Sequence, residues 1–153
     1  MARLDPTLSV FTSTHLLYLR LCMESRSSQE AIILLKHNTY TFPSRNVQGI
    51  EMPPPCSSDL TPGEYITARS ELSAEIRPAD VHEYFVLGSM IYIGAKDYER
   101  ALLLLEHVLL APSRDVATGL MLEAFRKWLL VSLLVTGQVI DAILTLFVRN
   151  ADG

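Results

Sequence analysis

The stretch DYERALLLLEHVLL, Asp97 to Leu110, decides how the rest of the chain is read. Tyr98, Ala101, Leu102, Leu105, Val108 and Leu109 recur at helical spacing and form one apolar stripe. Leu103, Leu104 and Leu110 lie off that stripe, where a helix at a domain surface ordinarily meets water. A helix with two apolar faces needs two neighbours, so this segment predicts a stack of helices rather than an isolated pair.

Working upstream, Phe85, Ser89 and Tyr92 precede the quoted stretch at spacings of four and three. With Tyr98, Ala101 and Leu105 they fill, in order, the large–small–aromatic and aromatic–alanine–large places of a tetratricopeptide hairpin. The small residues let two helices approach, and the large ones fill the space between them. Laying the template on Ala31 gives His15, Leu19, Cys22, Ser28 and Leu35. Laying it on Ala142 gives Leu130, Leu133, Gly137, Val139 and Leu146. The alanines are 70 and 41 residues apart, so the repeat is irregular, and units of this kind need about three copies for stability.

Helix starts are frequent and strand signals scarce. Ser27 with Glu30, Thr61 with Glu64, and Asp80 with Glu83 have capping-box spacing, and Pro62 falls at the first helical position. The expected helices lie near 8–24, 27–37, 62–76, 80–94, 97–111, 114–136 and 138–149. The fold class is therefore all-α: degenerate, tetratricopeptide-like helical hairpins forming a solenoid arm. The expected organisation is an N-terminal hairpin over 1–38, a proline-rich linker over 39–61, and continuous repeats over 62–153. Three prolines at 53–55 favour extended backbone in that linker. It has no flanking basic residues to make it a ligand for an SH3 or WW domain.

The 153 residues are 49% apolar and 20% charged, with a formal net charge of −4. No basic patch offers a footprint for nucleic acid. Cys22 and Cys56 do not make a disulfide framework, which suits a reducing compartment. The N-terminus lacks the charge and apolar run of a signal peptide. Over Trp128–Val148, thirteen Leu, Ile, Val or Phe residues favour membrane insertion by roughly 0.3–0.6 kcal/mol each. Asp141 opposes them by about 3 kcal/mol. Two short helices broken at Thr136-Gly137-Gln138 account for this run without placing an aspartate in lipid.

No catalytic apparatus is legible. His15, His37, His82 and His107 have no metal-ligand spacing, and neither HExxH nor CxxC occurs. His15 and Cys22 share a helix face but amount to two ligands, and read as a core histidine and a core thiol. No glycine-rich phosphate loop or nucleophile elbow is present. Glu106–His107 reads as a polar exit from an apolar helix, and Glu123–Lys127 as a solvated i,i+4 pair. The expectation is no catalytic residue, no cofactor, no metal and no small-molecule substrate.

The run from Glu83 to Val139 carries a resemblance. Gly88-Ser89-Met90-Ile91-Tyr92, Tyr98-Glu99-Arg100-Ala101-Leu102, Ala111-Pro112, Met121 through Lys127, and Leu133 through Gly137 are its strongest matches. Phe11-Thr12-Ser13-Thr14-His15, Leu21-Cys22 and Ala31 extend it upstream. In these residues the chain resembles the COP9 signalosome subunit 3 family, PCI-type helical-repeat proteins related to a proteasome-lid subunit. The resemblance implies a non-catalytic scaffold in the complex that removes Nedd8 from cullins and so regulates cullin-RING ubiquitin ligases. The zinc isopeptidase of that complex is a different subunit. It also implies other signalosome subunits as partners, and a place in cytoplasm and nucleus. Family members continue into a PCI domain beyond their repeats, whereas this sequence stops at FVRNADG and reads as a short form or fragment. A proteasome-lid-type scaffold, or a small membrane-associated protein anchored by residues 128–148, would be the alternatives. On the scaffold reading, the stripe of the opening helix meets the helix before it. Leu103, Leu104 and Leu110 would then meet the next repeat or another subunit.

Overall fold

The structure is a computed structural model that describes residues 5–37, 39, 41–43, 61–66, 70–111 and 119–137. Six helices are present among them: α1 (Ser13–Glu24), α2 (Ser28–Leu35), α3 (Pro62–Tyr65), α4 (Pro78–Gly94), α5 (Tyr98–Leu109) and α6 (Gly119–Thr136). The described β structure is one isolated parallel bridge between Val10 and Thr41. The expected helix over 138–149, with Ala142, Val139 and Leu146, lies outside the described residues.

The chain divides into two compact units, Met1–Val81 and His82–Gly153. The division falls in the first turn of α4 rather than at the proline-rich segment 39–61. Residues beyond that segment return to the first hairpin. Tyr65 and Ile66 are buried in one cluster with Val10, and Leu72 packs against it. The backbone N–H of Ser13 donates to Ser73 Oγ (3.1 Å), and that of Ala74 to Ser13 Oγ (3.0 Å).

In the first unit, α1 and α2 pair through Leu16, Leu19, Cys22, Ala31 and Leu34, all buried. Ala31 is fully covered, as close helix approach requires. The apolar pattern from residue 8 predicts an earlier start for α1. Instead the Asp5 carboxylate accepts from the Thr7 N–H (3.0 Å), the Thr7 hydroxyl (2.6 Å) and the Val10 N–H (2.9 Å). These bonds compete with helix and hold residues 5–10 in a turn, with Leu8 at φ 52°. Burial raises the Asp5 pKa, but those donors together outweigh it and leave the carboxyl below its usual range.

Helix α3 is one turn, against an expected helix running to residue 76. The Thr61–Glu64 capping box is formed, with the Thr61 N–H donating to Glu64 Oε2 at 2.6 Å. Tyr65 and Ile66 are then both buried. Adjacent residues diverge by about 100° on a helix, so both reach the Val10 cluster only if the helix stops there. Here tertiary burial outweighs local propensity.

Helix α4 begins at Pro78, two residues before the predicted start, and Asp80 is its third residue rather than its cap. Proline is favoured at the first position because its missing N–H has no helical partner there. The Asp80 carboxylate reaches back to the Arg77 N–H (2.9 Å) and to its guanidinium (3.1 Å). Those hydrogen bonds hold its pKa below the usual carboxylate range. Asp80→Ala should therefore lower stability by about 1 kcal/mol, seen as an earlier urea midpoint at unchanged slope.

In the second unit, Val86 of α4, Leu105 and Val108 of α5, and Ala124 and Trp128 of α6 form one buried cluster. Phe85, Leu102, Leu109, Met121 and Leu129 pack around it. The buried positions of α4, among them Tyr84, Val86, Ser89, Ile91 and Tyr92, spread wider than one stripe, while Met90 and Gly94 stay exposed. Burial pushes the Tyr84 phenol up to about 12.

The two hairpins share one connector. After α1, the Ser27 N–H bonds the Cys22 carbonyl (2.9 Å) and the Arg26 N–H that of Met23 (3.3 Å), with Arg26 at φ 56°. After α4, the Asp97 N–H bonds the Tyr92 carbonyl (2.9 Å) and the Lys96 N–H that of Ile93 (3.0 Å), with Lys96 at φ 63°. Both are Schellman turns built on a left-handed residue. Cys22 and Tyr92, Arg26 and Lys96, Ser27 and Asp97, and Ala31 and Ala101 stand 70 positions apart, the spacing found in the sequence. The caps differ in one respect: Asp97 accepts from the Arg100 N–H, while Ser27 makes no side-chain cap bond.

Candidate interaction surface

The helices sort the chain's candidate residues into packing positions and outward ones. Of the middle hairpin's template residues, Ser89, Tyr92, Ala101 and Leu105 are buried, and Phe85 and Tyr98 half-buried. Ser89 is completely enclosed, and its hydroxyl is satisfied by donating to the Val86 carbonyl at 2.7 Å. Phe85 meets the His107 ring edge-on, with centroids 5.3 Å apart. The Arg100 guanidinium stands over the Tyr92 ring at 5.7 Å. In the first hairpin His15, Leu19, Cys22 and Ala31 are buried, Leu35 is half-buried and Ser28 is exposed. Ala142 lies outside the described residues.

The off-stripe leucines point away from this packing. Leu103 is 52% exposed, Leu110 43%, and Leu104 is half-buried. Helix α6 does not cover them. It lies instead on the same face of α5 that meets α4, through Leu105 and Val108 with Leu102 and Leu109 at the flanks. One α5 stripe therefore serves two neighbours.

Helix α6 carries a second outward apolar face. The repeat template assigns Leu130 and Leu133 to packing, yet Leu130 is 63% exposed, and Leu133, Leu134 and Leu122 are exposed with it. Ala124, Trp128, Val131 and Ser132 take the buried side. The available signal was that the second half of α6, Trp128–Val135, is apolar except for Ser132 and so offers more than one apolar face. A single partner helix can cover only about one such face. Charges flank this surface: Lys127 Nζ lies 2.8 Å from Glu123 Oε1 and holds the Glu123 pKa below its usual range. On the first hairpin, Leu17, Leu21 and Ile33 are also exposed.

These rows of leucines have no chemistry of their own. Among the described residues no group of three His, Cys, Asp or Glu side chains could hold a metal ion. Glu106 and His107 diverge, the first accepting from Trp128 Nε1 at 3.4 Å and the second facing Phe85. Cys22 is a buried free thiol, and Cys56 lies outside the described residues. Helix α6 ends at Thr136 with Gly137 at φ 70°, the break expected at Thr136-Gly137-Gln138. No described helix is long and apolar enough to cross a membrane.

Comparison with known proteins agrees with this architecture. A family model described as COP9 signalosome complex subunit 3, N-terminal helical repeats, matches residues 61–144. COP9 signalosome complex subunit 3 of Neurospora crassa is 29% identical over 139 residues, covering 90% of this chain and 28% of that protein. Its namesake in Emericella nidulans is 30% identical over 136 residues, covering 87% and 27%. That of Drosophila melanogaster is 45% identical over 56 residues, covering 37% and 12%. The chain thus spans little more than a quarter of the two fungal relatives. No solved structure gives a significant match. The matched family model takes in more than half of the residues and encloses α3 to α6, and on that ground the chain belongs to the family of COP9 signalosome complex subunit 3 N-terminal helical repeats.

Proposed function

We propose that the chain acts as a non-catalytic scaffold of the COP9 signalosome, in cytoplasm and nucleus, and supports removal of Nedd8 from cullins by another subunit. The observation that carries this reading is the family match over the helices that bear outward leucine rows on α5 and α6. Exposed apolar surface of this kind is a protein-binding feature rather than a substrate pocket. A scaffold also needs only what the hairpins provide: rigid helices that present side chains at fixed spacing.

The test is affinity capture of the tagged chain from cells, with the retained proteins identified. Other signalosome subunits should be recovered. Leu103→Glu combined with Leu130→Glu should lower that recovery at least tenfold while changing stability by only about 0.5 kcal/mol per site, because both side chains already meet solvent. Recovery of proteasome-lid subunits alone, or retention of the double variant at wild-type level, would overturn the assignment.

A further inference from the structure

The first turn of α1 is closed by a histidine. In a capping box the third helical residue, normally Glu or Gln, reaches back to the backbone N–H of the cap. Here that residue is His15: its Nδ1 lies 3.1 Å from the Thr12 nitrogen and 2.9 Å from Thr12 Oγ1. A backbone amide can only donate, so Nδ1 must present its lone pair, and the ring is neutral with its proton on Nε2. The buried imidazole also stacks on Phe11, with centroids 5.7 Å apart and planes at 27°.

Phe11 continues the linkage. Its N–H donates to the Thr41 carbonyl (2.9 Å), the Thr41 N–H donates to the Ser9 carbonyl (3.2 Å), and its ring lies 5.7 Å from that of Phe42. His15, the start of α1, Thr41 and Phe42 thus form one chain of contacts within the first unit. Thr41 and Phe42 belong to the proline-rich segment 39–61.

We propose that His15 is a proton-sensitive latch: the neutral imidazole holds Thr12 and Phe11, and so fastens Thr41 and Phe42 to the start of α1, and a proton taken up at Nδ1 releases them. Protonation fills the lone pair that receives the Thr12 N–H and places a cation in a buried site. A cavity of about 150 Å³ lined by Asp5, Val10, Thr12, His15, Ile66 and Leu72 leaves room for the ring to be hydrated as it charges. Asp5 is the charged side chain in the wall of that cavity, and its carboxylate favours the imidazolium. Burial is the larger effect and lowers the His15 pKa below its ordinary value. A depressed histidine pKa gives stability that is complete above about pH 6.5 and lost as the pH falls through the folded value. The latch is closed at neutral pH and opens on acidification.

The experiment is a pH titration of the ¹⁵N-labelled chain by NMR from pH 7.5 to 5.0. At pH 7.5 the ring nitrogen shifts should show the Nε2–H tautomer. The His15 midpoint should fall below 6.5, with the Phe11, Thr12 and Thr41 amides moving at that same midpoint. Thr12 amide protection, corrected for intrinsic exchange, should fall by up to about tenfold per pH unit between pH 6.5 and the midpoint and level off below it. His15→Gln keeps an acceptor that does not titrate, so it should hold the three amides in place across the range. A proton on Nδ1 at pH 7.5, or a midpoint at or above 6.5, would overturn the latch, and both are read on the unaltered chain. The latch is equally refuted if the Phe11 and Thr41 amides titrate unchanged in His15→Gln.

Discussion

Ala101→Arg is expected to destabilise the second unit by about 4–5 kcal/mol, a large share of the roughly 5–15 kcal/mol typical of a folded domain. Ala101 is completely covered on α5, one turn before Leu105, which is packed in the cluster with Val86. An arginine there extends a long side chain beyond the β-carbon into a filled interior and carries a charge with it. Overpacking alone costs about 1–3 kcal/mol, and the unpaired charge supplies the rest unless the helices part to hydrate it. Trp128 is the chain's single tryptophan and is buried in this unit, so its fluorescence reports the unfolding directly. A red-shifted emission in the absence of denaturant, or an early urea midpoint, is the expected reading. An unchanged midpoint would show that Ala101 is not at a helix contact.

Trp128→Ala should cost about 3–5 kcal/mol, the range for removing a large buried aromatic side chain. Trp128 belongs to the cluster that joins α4, α5 and α6, so the void would touch all three helices. Its polar contribution is small, because the Nε1–Glu106 Oε1 separation of 3.4 Å is long for a hydrogen bond. Trp128→Phe should accordingly lose only about 1–1.5 kcal/mol, since it keeps most of the packing volume. Circular dichroism at 222 nm follows both variants, which lack the fluorescent probe. Equal losses in the two would mean that the hydrogen bond to Glu106, rather than packing, holds the indole.

Much of this fold was legible because repeat packing leaves a strict mark. A hairpin needs small residues where its helices touch, and Ala31 and Ala101 announced those points 70 positions apart. What was not legible has three physical causes. The end of α3 depends on Tyr65 and Ile66 finding Val10, a contact between distant parts of the chain that no local pattern encodes. The start of α4 turned on two competing signals, and Pro78 at the first position prevailed over Asp80 as a cap. The His15 cap was hidden because imidazole is not among the usual partners of a capping threonine, although its spacing from Thr12 fits. The surface was half legible. Leu103 and Leu110 stood out as off-stripe, but Leu130 and Leu133 matched the packing template, and only the placement of Trp128 and Val131 shows which side of α6 is inward.

The shared connector carries a consequence for mutational latitude. Each hairpin is turned by bonds between backbone groups, with Arg26 and Lys96 contributing a backbone angle rather than a side-chain contact. A bend written in the main chain is indifferent to most of what its side chains become. Leu17, Leu21 and Leu103 can therefore drift to suit whatever they touch without altering the angle at which their helices meet. The chain separates two inheritances in this way. The angle of each hairpin is kept by the turn and one enclosed alanine, and the identity of its neighbours is left to the faces outside.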